Sequence, residues 1–336
     1  MNVAHGGDIF RIARQRGWDW KDVLDFSANM NPLGPAPGVC DAIHEAMIRI
    51  RHYPSPESVA LSAELSKQWD VPASQILLGN GATDLLHFFA RIRPAEPVAL
   101  VVPTFSEFHR AYPNAAMARW DNFAAWPTSG LVVLTTPNNP TGKLAGADLR
   151  DWLLSTSHPV VVDESFLDFT DSPSVLRLLP QRPNLFVLRS LTKFYAIPGL
   201  RVGALVGGEE EIAVLRHFRE PWQVNVLAEA AAIASVRDSD YAIRSRAFID
   251  RERPWLMEQV AKFPGVKVEP SCVNFLYAPL DYDPGRLCAF LLERKILLRN
   301  CSLWRGLERP AVRIAVRTRE ENTRLLAAWS EFRCDC

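Results

Sequence analysis

No stretch of this 336-residue chain approaches the roughly 20 consecutive apolar residues that a bilayer-crossing helix needs. Residues 1–10 hold no apolar core of signal-peptide length, so a cytoplasmic protein with no membrane partner is expected. Net charge is missing too: 38 basic side chains balance 38 acidic ones. That balance argues against bulk electrostatic attraction to nucleic acid or an anionic surface, and no nucleic-acid partner is expected. Cysteines are few and scattered, at Cys40, Cys272, Cys288, Cys301, Cys334 and Cys336. In a chain this long they read as free thiols and not as a disulfide framework. Cys334-Asp335-Cys336 has metal-ligand residue types, but no other Cys or His pair lies near it in sequence, and no metal is expected. Repeats and low-complexity linkers are absent as well.

What remains is a chain with 48% hydrophobic residues, long enough for one large α/β domain and a smaller one. Short, continuous runs rich in Val and Leu predict strands at 75–78, 98–102, 131–135, 160–163, 185–188 and 202–206. Continuous apolar runs of that length suit strands buried on both faces. Helical stretches at 82–92, 144–155, 209–218 and 224–235 alternate with them. The alternation predicts a doubly wound, mostly parallel sheet, whose ligands gather at the carboxyl ends of its strands. Beyond residue 241 the pattern changes. A long charged helix at 241–263 leads to strands at 266–269, 274–277, 296–298 and 312–316, with helices near 284–294 and 319–332. The expected organisation is an N-terminal arm at 1–40 packed with the small domain, a large domain at 41–240 and a small α+β domain at 241–336.

Four segments carry chemistry. Gly79-Asn80-Gly81-Ala82-Thr83-Asp84 stands between a strand and a helix. Glycines let a backbone approach an anion, and the free N–H groups of a helix N-terminus favour a phosphate there. An ordinary capped turn has the same look. Thr136-Pro137-Asn138-Asn139-Pro140-Thr141-Gly142 makes a rigid turn at a strand's carboxyl end, where an Asn can donate to a phenolate oxygen. Val160-Val161-Val162-Asp163-Glu164 is an apolar strand ending in two carboxylates. A carboxylate there can pair with a protonated pyridine nitrogen and keep the ring an electron sink; helix capping is the ordinary alternative. Lys193 follows Ser190-Leu191-Thr192 after another strand, with Arg201 eight residues on. That suits a lysine forming an imine with an aldehyde cofactor, while Ser, Thr and Arg hold the cofactor's phosphate. An exposed loop lysine would explain Lys193 alone. It does not explain all four segments in this order, each one strand–helix step from the next.

With these motifs the chain resembles, over essentially its whole length, the fold-type I aminotransferase family that uses pyridoxal 5′-phosphate (PLP). Within that family it resembles the branch containing histidinol-phosphate aminotransferase and threonine-phosphate decarboxylase. The resemblance implies that Lys193 carries the cofactor's aldehyde as an imine and then moves protons. It implies that Asp163 pairs with the pyridine nitrogen and Asn139 with the phenolic oxygen. Ala82, Thr83, Ser190, Thr192 and Arg201 would hold the phosphate, and Phe108 would stack on the ring. Tyr53, in Arg51-His52-Tyr53-Pro54, matches a tyrosine that reaches the phosphate of the neighbouring subunit. A homodimer with shared active sites is therefore expected. Arg313 matches the arginine that grips a substrate carboxylate. Two departures stand out: family members usually carry Tyr where Phe108 and Phe166 stand, so two hydroxyl donors are missing near the ring.

Three features resemble the decarboxylase side of the branch. One is the arm His5-Gly6-Gly7 followed by Phe26-Ser27-Ala28-Asn29-Met30-Asn31-Pro32-Leu33-Gly34. Another is Leu298-Arg299-Asn300-Cys301-Ser302-Leu303-Trp304-Arg305-Gly306-Leu307. The third is Arg317, where the aminotransferases usually have a small residue. His5, Asn31, Arg299, Arg313 and Arg317 are thus the candidate substrate contacts, and guanidinium forks suit a dianionic phosphate. The bond that breaks is the one held perpendicular to the cofactor ring. A substrate anchored mainly by its phosphate can turn its carboxylate out of the ring plane, and CO2 leaves. The resemblance implies decarboxylation of O-phospho-L-threonine to (R)-1-amino-2-propanol phosphate, for corrinoid biosynthesis. The alternatives are a histidinol-phosphate aminotransferase or a decarboxylase of a related phosphorylated or phosphono amino acid.

Overall fold

Short Val- and Leu-rich runs become strands because both of their faces are covered. The computed structural model describes residues 6–94 and 97–333. In chain order the strands are β1 (Leu24–Asp25), β2 (Ile76–Gly79), β3 (Val98–Val102), β4 (Ala116–Arg119), β5 (Leu131–Thr135), β6 (Val160–Asp163), β7 (Leu185–Ser190), β8 (Gly203–Val206), β9 (Phe275–Pro279), β10 (Ile296–Leu297), β11 (Arg299–Asn300) and β12 (Ala311–Ala315). The helices are α1 (Ile9–Arg16), α2 (Pro37–Ala46), α3 (Val59–Trp69), α4 (Ala82–Ile92), α5 (Ser106–Ala111), α6 (Ala147–Ser155), α7 (Glu209–His217), α8 (Val226–Arg237), α9 (Ser239–Val260), α10 (Pro284–Leu292) and α11 (Arg319–Ser330).

The main sheet has the order β2-β8-β7-β6-β5-β3-β4. Neighbours are parallel from β7 across to β4, while β8 runs against both β2 and β7. Every residue of β5, β6, β7 and β8 is buried. Alternate residues feed two cores: Val132, Leu134, Val160 and Val162 on one face, and Val133, Val161, Phe186 and Leu188 on the other. Each such side chain contributes roughly 1.5–3 kcal/mol by leaving water, so the strand ends are a stiff platform. Because β8 is reversed, its first residue meets the last residues of its neighbours: Gly203 pairs with Gly79 on one side and Ser190 on the other. One edge of the sheet therefore collects the ends of β2, β5, β6 and β7 and the start of β8.

The second sheet, β11-β12-β9, is antiparallel. α11 follows it, opened by a capping box in which Thr318 and Glu321 satisfy each other's backbone N–H groups. The arm joins this side. β1 pairs in parallel with β10, and the Ala315 N–H donates to the Phe26 carbonyl at 3.0 Å.

Three differences from the sequence reading have physical causes. β4 at the sheet edge was not expected; three of its four residues are exposed, so it lacks an apolar run. The strand expected at 266–269 contributes only two isolated bridges, Val266 to Leu280 and Glu269 to Tyr277. The arm holds a helix, α1, whose Ile12 and Ala13 pack with Val23 and Leu297 and which Gly17 stops in a left-handed conformation. Cys334-Asp335-Cys336 lies outside the described residues. Among those described, no helix is long and apolar enough to cross a membrane.

Candidate active site

A cavity of about 420 Å³ opens where the strand ends converge, lined by Ala82, Thr83, Phe108, Asn139, Asp163, Lys193, Arg201 and Arg313 among others. Each of its walls follows from a strand–helix junction.

Lys193 sits in the turn after β7, its Nζ donating to Ser190 Oγ at 3.3 Å. Burial, opposed by Asp163 and aided by Arg201 and Arg313, brings its ammonium from 10.5 down to about 8. About a tenth of the amine is then neutral at pH 7, far more than for an ordinary lysine, and able to act as a nucleophile. Asp163 ends β6, and its Oδ1 accepts the Ser165 N–H at 2.9 Å. Burial pushes its carboxyl up against the pull of Ser165, Lys193 and Arg189. A cationic ring nitrogen beside it would supply the stabilisation that burial removes.

At the opposite end, α4 begins at Gly81, whose φ of +93° and missing side chain leave the first helical N–H groups without a side-chain cap. A Cβ at Gly81 would lie 2.4 Å from Arg201 Nη2, and one at Gly203 would lie 2.5 Å from the Ala82 nitrogen. Both positions need glycine so that Arg201, β8 and the helix N-terminus can close on one point. Ser190 Oγ and Thr192 Oγ1, buried beneath Lys193, lie 2.9 Å apart. Two hydroxyls, a guanidinium and uncapped N–H groups form a donor set that fits a phosphate. A basic lysine, a buried carboxylate and a phosphate cradle are together the set that PLP requires, and the residues present fit it.

Between these ends, the Asn138 side chain pins the turn by donating to the Pro103 carbonyl at 2.8 Å and accepting from Thr141 Oγ1 at 2.8 Å. Asn139 Oδ1 accepts from Arg313 Nη1 at 2.6 Å, which leaves the amide NH2 as its donor. Phe108 is buried, and Phe166 is buried edge-on against Phe275 at 5.1 Å. Neither brings a hydroxyl.

The far wall is less as expected. Arg313, on β12, donates to Asn139 Oδ1 and to the Ser27 carbonyl, both at 2.6 Å. Both acceptors are neutral, and its Nε has no acceptor. Burial, together with Arg299, pushes its guanidinium down to about 10. A desolvated cation with neutral partners is a receptor for an incoming anion.

Of the other candidate substrate contacts, His5 lies outside the described residues. Asn31 does not line the cavity. Its Nδ2 donates to the Phe194 carbonyl at 2.9 Å and to Ser245 Oγ at 2.7 Å, and its backbone N–H donates to the Lys193 carbonyl at 3.0 Å. It clamps the arm to the lysine turn. Arg299 is buried opposite Arg313 in the β11–β12 pairing, its guanidinium over Trp304 at 5.6 Å, and it too stays out of the cavity lining. Arg317 turns away to Glu321 at 2.6 Å, in the first turn of α11. Tyr53 is 80% exposed and stacks on Trp222 with centroids 4.7 Å apart, away from this chain's own cavity.

Asn29 is the residue the sequence reading missed. It lines the cavity, is 3% exposed, and neither its Oδ1 nor its Nδ2 has a hydrogen-bond partner. An orphaned buried amide in a binding cavity awaits a polar ligand. The arm turns between the two asparagines (Met30 N–H to the Ala28 carbonyl, 2.9 Å), so residues two apart do not share a face.

Comparison with known proteins agrees with this geometry. The family model described as aminotransferase class I and II matches residues 21–328. A threonine-phosphate decarboxylase of Salmonella typhimurium is 34% identical over 98% of this chain and 96% of its own length. A histidinol-phosphate aminotransferase of Moorella thermoacetica is 31% identical over 97% of this chain and 89% of its own. The crystal structure of an L-threonine-O-3-phosphate decarboxylase from Porphyromonas gingivalis superposes with a TM-score of 0.83 at 25% identity, covering 92% of this chain and 98% of that one.

Proposed function

The chain belongs to the aminotransferase class I and II family, and from that premise we propose that it is a PLP-dependent decarboxylase of O-phospho-L-threonine or a closely related phosphorylated amino acid. When bound, PLP supplies an aldehyde for the substrate amine and a π-system that takes up the electrons of a bond broken at the α-carbon. Lys193 Nζ, brought down to about 8, holds or delivers the proton at that carbon. The Asp163 carboxylate stabilises positive charge at the ring nitrogen. Ala82, Thr83, Ser190, Thr192 and Arg201 bind the cofactor's phosphate, and Phe108 covers the ring and excludes water.

The observation that carries the reading is the far wall. Arg313 is a buried cation with neutral partners, and the Asn29 amide beside the same cavity has none. Together they suit a substrate with an anionic, multiply hydrogen-bonding group, a carboxylate or a phosphate. The missing hydroxyls at Phe108 and Phe166 point the same way, because they leave fewer donors near the phenolic oxygen. Release of CO2 from O-phospho-L-threonine by PLP-loaded protein, absent in Lys193→Ala, is the test. A corrinoid-pathway enzyme of the cytoplasm would give (R)-1-amino-2-propanol phosphate.

Histidinol-phosphate aminotransferase is the second reading, and one observation favours it. Arg317, counted for the decarboxylase, is turned to Glu321 and away from the cavity. Conversion of bound PLP to its amine form by glutamate, without CO2 from phosphothreonine, would select that reading. We further propose a homodimer. Met47, Ile48, Ile50, Tyr53 and Val59 are all at least 50% exposed, with Trp222 stacked on Tyr53, and a monomer rarely leaves such an apolar patch uncovered. Sedimentation of the holoenzyme as a monomer at micromolar concentration would rule it out.

A further inference from the structure

Directly beneath the cofactor-facing ends of β6 and β7 lies a cluster of ionisable side chains that the chemistry above does not use. Along β6 and just past it, side chains alternate, so Asp163 faces the cavity and Glu164 faces away. Along β7, Leu188 lines the cavity, Arg189 points to the far side, and Ser190 returns to the lysine. The Glu164 N–H donates to the Leu188 carbonyl at 2.9 Å, which locks the two strand ends together. On the far side, Arg189 Nη1 donates to Glu164 Oε2 at 3.0 Å, and Nη2 donates to Asp168. Glu164 also accepts from Ser174 Oγ at 2.5 Å and from the Val175 N–H at 2.8 Å. The guanidinium lies over Trp69 at 5.1 Å. Glu164 is 1% and Arg189 4% exposed. Burial opposes the Arg189 charge, yet Asp168 and Glu164 prevail and hold it above the ordinary arginine value.

A buried ion cluster is weak evidence for stability, because apolar residues of the same volume often serve as well or better. Its place points to another use. Arg189 immediately precedes Ser190, and Glu164 immediately follows Asp163. We propose that Glu164 and Arg189, with Asp168, are positioning residues: the pair fixes Asp163 and Ser190 from behind and sets the charge felt at Lys193. The inference rests on the reading that Lys193 and Asp163 hold PLP. Burial pushes the Glu164 carboxyl up, against the pull of Arg189, Ser174 and the Val175 N–H, and the cluster sets two carboxyl groups against one guanidinium under the site. The other ionisable groups beside the cluster are Tyr195, Asp163 and Arg246, which pairs with Asp171 at 3.1 Å; around Lys193 stand Asp163, Arg201 and Arg313. All of these are left intact in the test.

Opposite charges give opposite signs, which a merely structural role does not. In the holoenzyme, the pH midpoint of the visible absorbance band of bound PLP is measured for wild type, Glu164→Gln, Arg189→Leu and Arg189→Lys. Glu164→Gln removes a negative charge and lowers the midpoint by about one unit; Arg189→Leu removes a positive charge and raises it similarly. Arg189→Lys keeps the charge and restores the wild-type midpoint. Should Arg189→Leu fail to fold, Glu164→Gln and Arg189→Lys decide between them. A Glu164→Gln midpoint within about 0.2 units of wild type, or shifts of the same sign in both charge-removing variants, would overturn the proposal. A wild-type protein with no Lys193-dependent band would overturn the cofactor reading first, and the positioning role with it.

Discussion

The two walls of the cavity differ in how they are built. On the wall made by the main sheet, Ala82, Thr83, Asn139, Asp163, Lys193 and Arg201 stand at or just beyond strand ends and line one cavity, while Ser190 and Thr192 are buried out of its lining. On the wall made by the arm and the second sheet, five residues were candidates, and among the described ones only Arg313 reaches the cavity. The difference is one of constraint. A parallel strand delivers its carboxyl end to one edge whatever the side chains do. The arm and the second sheet place side chains through individual tertiary contacts, such as those of Asn31 with Phe194 and Ser245.

The largest expected effect breaks the first wall. Lys193→Ala should remove the visible band of bound PLP and reduce turnover to background, measured by absorbance and CO2 release. The same lysine predicts a pH dependence. With its ammonium at about 8, only about a tenth is neutral at pH 7. The rate at which cofactor-free protein takes up PLP should therefore rise with pH through a midpoint near 8. The sign of the stability effect follows. The lysine is lowered on folding, so the folded cofactor-free protein binds fewer protons between 8 and 10.5 than the unfolded chain, and this group's contribution to stability grows as pH rises across that window. Urea denaturation of wild type and Lys193→Met should converge across that window, the wild type losing its deficit as pH nears 10.5.

Arg313→Lys sharpens the second wall. It keeps the charge but loses the fork that holds Asn139 and the Ser27 carbonyl. We expect KM for phosphothreonine to rise by roughly 10- to 100-fold, as for a charge-assisted bond of about 1.5–3 kcal/mol, with the PLP band unchanged. An altered band instead would mean that Arg313 serves the cofactor side through Asn139. Asn29→Ala should raise KM more modestly. An unchanged KM would leave the orphaned amide without a ligand role.

Legibility in the sequence follows the same division. Strands β3, β5 and β6 and helix α4 were readable to the residue, because unbroken apolar runs and a glycine-bounded start leave one solution. Strand β4 was not, because an edge strand with exposed Met117 carries no apolar period. Helix α1 was readable in principle: Ile9, Ile12 and Ala13 recur at helical spacing, and Gly17 stops them. Asn29 was not separable from Asn31, since both sit in Asn-Met-Asn and only the turn decides which amide faces the cavity. Arg317 misled for a similar reason. Its neighbour Thr318 opens α11, and the capping residue Glu321 that serves the helix also captures the guanidinium.

Arg317 therefore supplies the smallest effect and the most direct check on the second wall. Its pair with Glu321 is half-buried and lies between residues four apart at a helix start, a setting worth below about 1 kcal/mol. Arg317→Ala should lower the thermal midpoint slightly and leave KM for phosphothreonine within about twofold of wild type, since 0.4 kcal/mol is that factor. If Arg317 instead swings into the cavity when substrate binds, it must give up Glu321, and the variant's KM should rise at least about tenfold with the same small loss of stability. KM alone separates the two outcomes, so one variant decides whether the far wall works with one arginine or two.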